Sequence, residues 1–264
     1  MSAAIVIPAR YGSSRFAGKP LHKIAGVSML ERVWRIAQTV QGCSRVVIAT
    51  EDHRIIDHAR SFGAEAVVTP ESCANGTERV FAALDAAVIT QDVILNLQGD
   101  AVLTPPWVLE AMIEALAHTP DADLVTPAVR LDRAALEALT HHKETNPASG
   151  TTVVFDRALN ALYFSKHILP FCRNPGPVHR HIGLYGYRRA ALARYVALPP
   201  SPLEEAEGLE QLRPLENGMK IRVALVDYKG RTHGSVDAPA DVPVIEAIIA
   251  REGELLPDLL SAKT

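Results

Sequence analysis

Short, almost wholly apolar runs alternate through the first half of the chain with stretches whose apolar residues recur at helical spacing. Residues 4–7, 45–49, 66–68, 93–98 and 124–129 read as strands, and the runs at 45–49 and 93–98 are apolar enough to predict burial on both faces. Between them, Ser28 and Glu31 form an S-x-x-E helix start with Met29, Val33, Trp34, Ala37 and Val40 as the apolar stripe and Gly42 as the stop. A second helix is expected at about 52–62, closed by Gly63, and a third opens at 75–79 and buries Val80, Phe81 and Leu84. A fourth starts from Thr104, Pro105 and Pro106 and runs through Met112 and Leu116. Strand–helix alternation of this kind predicts an α/β fold with a parallel sheet. Ligands of such sheets lie beyond the carboxyl ends of the strands.

The rhythm changes between about 131 and 195. Residues 153–155 and 161–164 read as paired strands around a turn at 156–160, and a polar, proline-rich passage at 170–177 leads into His179–Arg188. Hairpins inserted into an α/β frame predict a second lobe at 131–195, with 1–130 and 196–264 forming the core. Ser201-Pro202-Leu203-Glu204 combines a cap, a proline at the first helical position and an acid, so it predicts a helix that carries Leu209 to Arg213 and ends at Gly218. A strand at 220–226 and a last helix at 242–251 complete the pattern. The chain has no internal repeat and no low-complexity segment.

At 264 residues, with 48% hydrophobic and 22% charged residues, the chain can bury a full core and reads as an ordinary globular protein. A net charge of −3 argues against a general nucleic-acid binder. Cys43, Cys73 and Cys172 are scattered and lack metal-type spacing, as expected in a reducing compartment. The apolar run at 3–8 is too short for a signal peptide, and no run approaches the length of a membrane span. A cytoplasmic protein without a membrane partner is the expectation.

Against this near-neutral background, the loop after the first strand is locally basic. Pro8-Ala9-Arg10-Tyr11-Gly12-Ser13-Ser14-Arg15-Phe16-Ala17-Gly18-Lys19-Pro20-Leu21 offers backbone N–H groups, hydroxyls and fixed cations, which suit a polyphosphate. It is not a P-loop, because five residues separate Gly12 from Gly18 and Pro20 replaces the magnesium-holding Ser or Thr. It is not a G-x-G-x-x-G dinucleotide turn either. Asp100 follows the 93–98 strand, where an acid can hold a hard cation or simply make a turn or helix cap.

The opening loop together with Gly76-Thr77-Glu78-Arg79, Gln98-Gly99-Asp100, Tyr163-Phe164-Ser165, His181-Ile182-Gly183-Leu184-Tyr185-Gly186-Tyr187-Arg188, Glu210-Gln211-Leu212-Arg213 and Val236-Asp237 resembles the 3-deoxy-manno-octulosonate cytidylyltransferases, the CMP-Kdo synthetases. The resemblance runs from about Ala3 to the last helix. It implies a Rossmann-like nucleotidyltransferase (GT-A-like) three-layer sandwich with a mainly parallel mixed sheet and an inserted sugar-binding and dimerisation lobe. The implied reaction is transfer of CMP from CTP to Kdo with release of pyrophosphate, in lipopolysaccharide or capsule synthesis. Lys19, Arg10 and Asp100 are the implied catalytic residues. Ala9, Arg10, Ser13, Arg15, Lys19, Asn75, Gly76, Arg79 and Gln98 are implied for the nucleotide, and His181, Tyr185, Glu210, Gln211 and Arg213 for the sugar. Asp100 and Asp237 are implied to hold Mg²⁺, and a homodimer is implied, with Leu162, Leu184 and Leu192 as its apolar support.

Each assignment has a plainer reading. Asp237 can cap the last helix, His181 and Tyr185 can be satisfied core residues, Glu210 can belong to an exposed face, and Arg79 can pair with a neighbour on its helix. The chain also departs from the family pattern. Ala101-Val102 stands where Glu-Pro is usual after Asp100, Thr152 replaces a lysine, Lys166 replaces an arginine, and Asn75 replaces a serine. Two weakened cationic positions leave open the same chemistry on another acceptor, 8-amino-Kdo, a sialic-type nonulosonate or a phosphonate. A silent CTP-binding paralogue is the remaining alternative.

Overall fold

The computed structural model describes residues 2–12, 16–174 and 176–256. In chain order the elements are β1 (Ala3–Pro8), a 3₁₀ turn (Lys19–Leu21), β2 (Lys23–Ile24), β3 (Val27–Ser28), α1 (Met29–Gln38), β4 (Cys43–Thr50), α2 (His53–Ser61), β5 (Glu65–Val68), α3 (Gly76–Ala86), β6 (Val93–Asn96) and α4 (Pro106–His118). They continue with β7 (Leu124–Leu131), α5 (Arg133–Thr145), β8 (Thr152–Phe155), β9 (Ala161–Ser165), β10 (Val178–His181), β11 (Tyr185–Arg188), α6 (Arg189–Val196), α7 (Pro202–Glu207), α8 (Leu212–Glu216), β12 (Ile221–Leu225) and α9 (Asp241–Glu252).

The described residues of Met1–Glu110 and Tyr228–Thr264 form one compact unit, and Ala111–Asp227 form a second. The first unit holds a parallel array in the order β5-β4-β1-β6. Ile5 stands between Val46 and Leu95, and all three are buried, as their unbroken apolar runs require. Side-chain caps start its helices. Ser28 accepts the N–H of Glu31 for α1, Asp52 that of Arg54 for α2, and Asn75 that of Glu78 for α3. The Glu31 carboxylate pairs with Arg35 one turn on.

In the second unit β7 is the spine. β12 runs parallel to it over Leu124–Ala128, while β11 and β10 lie antiparallel to its first and last residues; β8 follows β10, and β9 follows β8. These units are bounded at 110/111 and 227/228, where 130/131 and 195/196 were expected: β7, assigned there to the core, pairs with β10 and β11 of the lobe, and β12 pairs with β7. Two further expectations change. The helix expected from Pro202 to Gly218 is two, because Gly208 takes a left-handed φ of 63° and ends α7 before α8 begins. Helix α5 falls within the stretch expected to hold hairpins; only Leu139 of its residues is fully buried, so no apolar stripe announces it. Among the described residues no helix is long and apolar enough to cross a membrane.

Side-chain contacts tie the segment after Tyr228 to β2, β3 and α1 of the same unit. Buried Arg32 on α1 reaches Glu254 at 2.5 Å and the Ile24 carbonyl at 2.7 Å, and the N–H of Ala25, between β2 and β3, donates to Glu246 on α9. Glu252 accepts both the N–H and the hydroxyl of Thr232 and pairs with Arg251. Burial alone would raise the Glu252 carboxyl, but the Thr232 hydroxyl, Arg251 and the Thr232 N–H together hold it down to about 2. A depressed folded-state value means that this contribution is fully present above the ordinary value of 4.5 and is lost as pH falls toward 2. The urea midpoint of the native protein is therefore expected to exceed that of Glu252→Gln at pH 6, with the gap closing as pH is lowered through 4 and 3. A gap independent of pH would contradict this reading.

Candidate active site

A cavity of about 310 Å³ opens in the first unit at the carboxyl ends of β1 and β6. β1 delivers Pro8, Ala9 and Arg10; the 3₁₀ turn brings Lys19 and Pro20; the start of α3 brings Asn75, Gly76 and Arg79. The extension of β6 adds Gln98, Gly99 and Asp100, and the segment before α9 adds Asp237. One concavity thus gathers the expected Ala9, Arg10, Lys19, Asn75, Gly76, Arg79, Gln98, Asp100 and Asp237. Ser13 and Arg15 lie outside the described residues. The floor depends on close backbone approach, since a Cβ on Gly99 would stand 3.0 Å from the Pro8 carbonyl oxygen. Gly18 closes the basic loop by donating its N–H to the Tyr11 carbonyl, and it does so at a φ of 68°.

Lys19 is the pivot of the cavity. Its Nζ donates to Asp100 Oδ2 at 2.7 Å and to the Val236 carbonyl at 2.8 Å. The Val236 N–H in turn points at the Asp100 carbonyl at 3.4 Å, which ties the β6 extension to the segment carrying Asp237. An ammonium has three donors, so Lys19 can keep both contacts and still offer one N–H to a phosphate oxygen. Asp241 organises the start of α9, because its carboxylate accepts the N–H groups of Asp237 and Ala238 at 2.7 and 2.8 Å. Asp100 spends its carboxylate on a cation.

The oxygens around Lys19 also suit a hard divalent cation. The Asp100 carboxylate and the Val236 carbonyl already hold a positive charge, and Asp237 lines the same cavity. Among the described residues no cluster of three or more His, Cys, Asp or Glu side chains forms, so a metal here would take its other ligands from the nucleotide and water.

Sequence reasoning missed Glu51. It follows β4, accepts the Tyr11 N–H at 3.2 Å with one oxygen and faces Arg79 Nη1 at 2.9 Å with the other. Arg79 also donates to Thr69 at 2.7 Å, so it is anchored across the ends of β4 and β5 and not along its own helix. Glu51 links the entry of the basic loop to the cation on the cavity wall. An acid just past an apolar strand was the available signal, the same one that singled out Asp100. Gln98 is oriented by a chain in which it donates to Asn96, which donates to Thr77.

Of the residues expected at the sugar, His181, Tyr185, Gln211 and Arg213 are buried in the second unit and Glu210 is half-buried. His181 Nε2 lies 2.7 Å from the Thr126 hydroxyl, and its ring packs edge-on to Phe164. The Tyr185 hydroxyl donates to Gln211 Oε1 at 2.9 Å, while Gln211 Nε2 is a buried donor with no acceptor among the described residues. Burial raises the Tyr185 phenol well above its ordinary value, so it remains a donor at neutral pH. Glu210 faces the Tyr195 hydroxyl at 3.5 Å. Arg213 aims its fork at Glu204, with contacts of 2.7 and 2.6 Å, inside the protein. Thr152, one of the departures, is fully buried; its hydroxyl donates to the His167 carbonyl and accepts the Leu169 N–H. Leu184 and Leu192 are core residues, so of the three leucines expected to support a dimer only Leu162, 60% exposed, lies on a surface.

Residues 4–221 match the family model described as Cytidylyltransferase. The chain is 52% identical over 259 residues to 3-deoxy-manno-octulosonate cytidylyltransferase of Maricaulis maris, covering 97% of this chain and all of the relative. It is 40% identical over 252 residues to 8-amino-3,8-dideoxy-manno-octulosonate cytidylyltransferase of Shewanella pealeana, covering 94% of this chain and 98% of that one. Among solved structures it resembles a CMP:2-keto-3-deoxy-manno-octonic acid synthetase complexed with CTP, with a TM-score of 0.85 and 34% identity over 96% of this chain and all of that one.

Proposed function

Since the chain belongs to the cytidylyltransferase family, we propose that it transfers CMP from CTP to the anomeric hydroxyl of 3-deoxy-D-manno-octulosonate, releasing pyrophosphate. The observation that carries this reading is the cavity in which Lys19 joins Asp100 to the Val236–Asp237 segment, with Arg10 and Arg79 on the same wall. The triphosphate is the dense anion that such a basic, glycine-floored concavity fits.

The anomeric hydroxyl attacks the α-phosphorus; the bond to the bridging oxygen breaks, the proton leaves the hydroxyl, and the electron pair departs with pyrophosphate. Catalysis of such a displacement is mostly positioning and charge stabilisation. Lys19 and Arg10 offset charge on the departing phosphates, Asn75 and Gly76 shape the wall, and Gln98 and Arg79 hold the nucleoside end. Mg²⁺, when held by Asp100 and Asp237, would supply charge neutralisation at the phosphates and acidify the attacking hydroxyl. His181, Tyr185, Glu210 and Gln211 bind the sugar acid, with Arg213 fixed behind them by Glu204. A homodimer and a cytoplasmic location complete the proposal.

The test is pyrophosphate release from CTP and Mg²⁺ with Kdo, 8-amino-Kdo, a sialic acid and a phosphonate as acceptors. Release with Kdo is expected. Release only with 8-amino-Kdo would keep the chemistry and move the acceptor, in line with the 40% identical relative. Tight CTP binding without release from any acceptor would indicate the silent paralogue.

A further inference from the structure

Thr126 lies on β7 with no exposed surface, and its hydroxyl oxygen meets three polar neighbours. They are His181 Nε2 at 2.7 Å, the Leu184 carbonyl at 2.8 Å and the Ile182 carbonyl at 3.3 Å. A hydroxyl has one proton and two lone pairs, and a carbonyl can only accept. An oxygen–oxygen approach of 2.8 Å needs a hydrogen between the atoms, so the Thr126 proton goes to Leu184. The 2.7 Å contact to His181 then needs its own proton, which only Nε2 can provide. The neutral ring is thereby fixed as the Nε2–H form, with Nδ1 as its basic nitrogen.

The same polarity continues through the neighbouring ring. Tyr185 lies 5.8 Å from His181, centroid to centroid, and donates its proton to Gln211 Oε1, which turns the Gln211 amide so that its NH₂ is the donor on offer. Two residues that would bind the sugar are thus each set, as donor or acceptor, by a partner behind them. Nothing in the sequence motifs marks Thr126.

We propose that Thr126 is a positioning residue for the acceptor: it holds the His181 ring in orientation and in the Nε2–H tautomer, and so sets how the ring meets the hydroxyls of the sugar acid. The assignment of His181 to the acceptor rests on the proposed function; the tautomer does not.

Two arms keep those parts separate. Long-range ¹H–¹⁵N correlation on histidine-labelled native protein reads the tautomer directly, with His181→Asn used to assign the signal. A ring protonated on Nε2 and not on Nδ1 is expected, and a proton on Nδ1 would overturn the proposal whatever the substrate proves to be. In steady-state assays Thr126→Val, which keeps the shape and removes the hydroxyl, is expected to raise KM for the acceptor about tenfold. KM for CTP should stay unchanged, and Thr126→Ser should restore native behaviour because it keeps the hydroxyl. Equal changes in both KM values, or no rescue by serine, would count against positioning. If Thr126→Val does not fold, the native spectrum and the serine variant still decide. If no acceptor turns over with the native protein, the proposed function fails while the tautomer measurement stands.

Discussion

Lys19→Met is expected to lower kcat/KM for CTP by about 10²–10³, the usual cost of removing one preorganised charge-stabilising donor from a transferase site. Methionine keeps the unbranched stem and removes the ammonium, so the thermal midpoint should move little. Pyrophosphate release at saturating acceptor measures the effect, and a loss smaller than about tenfold would rule out the catalytic role proposed for Lys19. Lys19→Arg is not expected to rescue. The rigid guanidinium fork does not reproduce a compact point charge whose donors diverge to Asp100 Oδ2 and the Val236 carbonyl.

The geometry allows a sharper question, because Lys19 both faces the expected phosphate position and neutralises Asp100. If neutralising Asp100 is its whole purpose, adding Lys19→Met to Asp100→Asn costs nothing beyond Asp100→Asn alone. If Lys19 acts on the phosphates, the double variant is slower than Asp100→Asn alone. Residues in direct contact are where additivity fails, so the double variant is informative in either direction.

Legibility from the sequence followed the physical source of each feature. The strands of the first unit were readable because burial on both faces demands continuous apolar runs, and β1, β4 and β6 carry them. The cavity residues were readable because the basic loop, Gln98-Gly99-Asp100 and Asp237 follow or flank those strands. Glu51 was not, because its meaning comes from Tyr11 and Arg79, one far before it and one far after it in the chain. Helix α5 was missed because it buries so little that its sequence has no stripe to read. Leu184 and Leu192 were misplaced because an apolar residue looks the same whether it faces a core or a partner. The bounds of the second unit were not legible because strand pairing around β7 is a long-range property that no local pattern encodes.

Arg213 shows how a motif residue can serve the fold, and it carries the largest expected effect on stability. Glu204 does two things at once. It accepts the Ser201 N–H at the start of α7, and it receives both arms of the Arg213 fork from α8. Arg213 also lies over the Tyr195 ring at 5.3 Å, and both charged side chains are largely buried, at 9% and 14% exposure. Gly208 separates the two helices, so side-chain contacts and not helical continuity hold them together: this pair, and Glu216 of α8, which accepts the Ser201 hydroxyl and the Leu203 N–H. Glu204→Ala removes the cap and leaves a guanidinium buried without its counter-charge, and removing one partner of a buried pair costs about 3–5 kcal/mol. For a chain of this size that corresponds to a fall in the thermal midpoint of roughly 6–20 °C. Replacing both residues by apolar ones, Glu204→Leu with Arg213→Met, is expected to recover much of the loss, because the buried charge disappears with its partner. Calorimetry on the three proteins distinguishes the cases. A single variant within about 1 kcal/mol of the native protein would mean that water reaches Arg213 and that the pair behaves as an ordinary surface bridge; a double variant no better than the single one would place the stabilisation in the α7 cap instead.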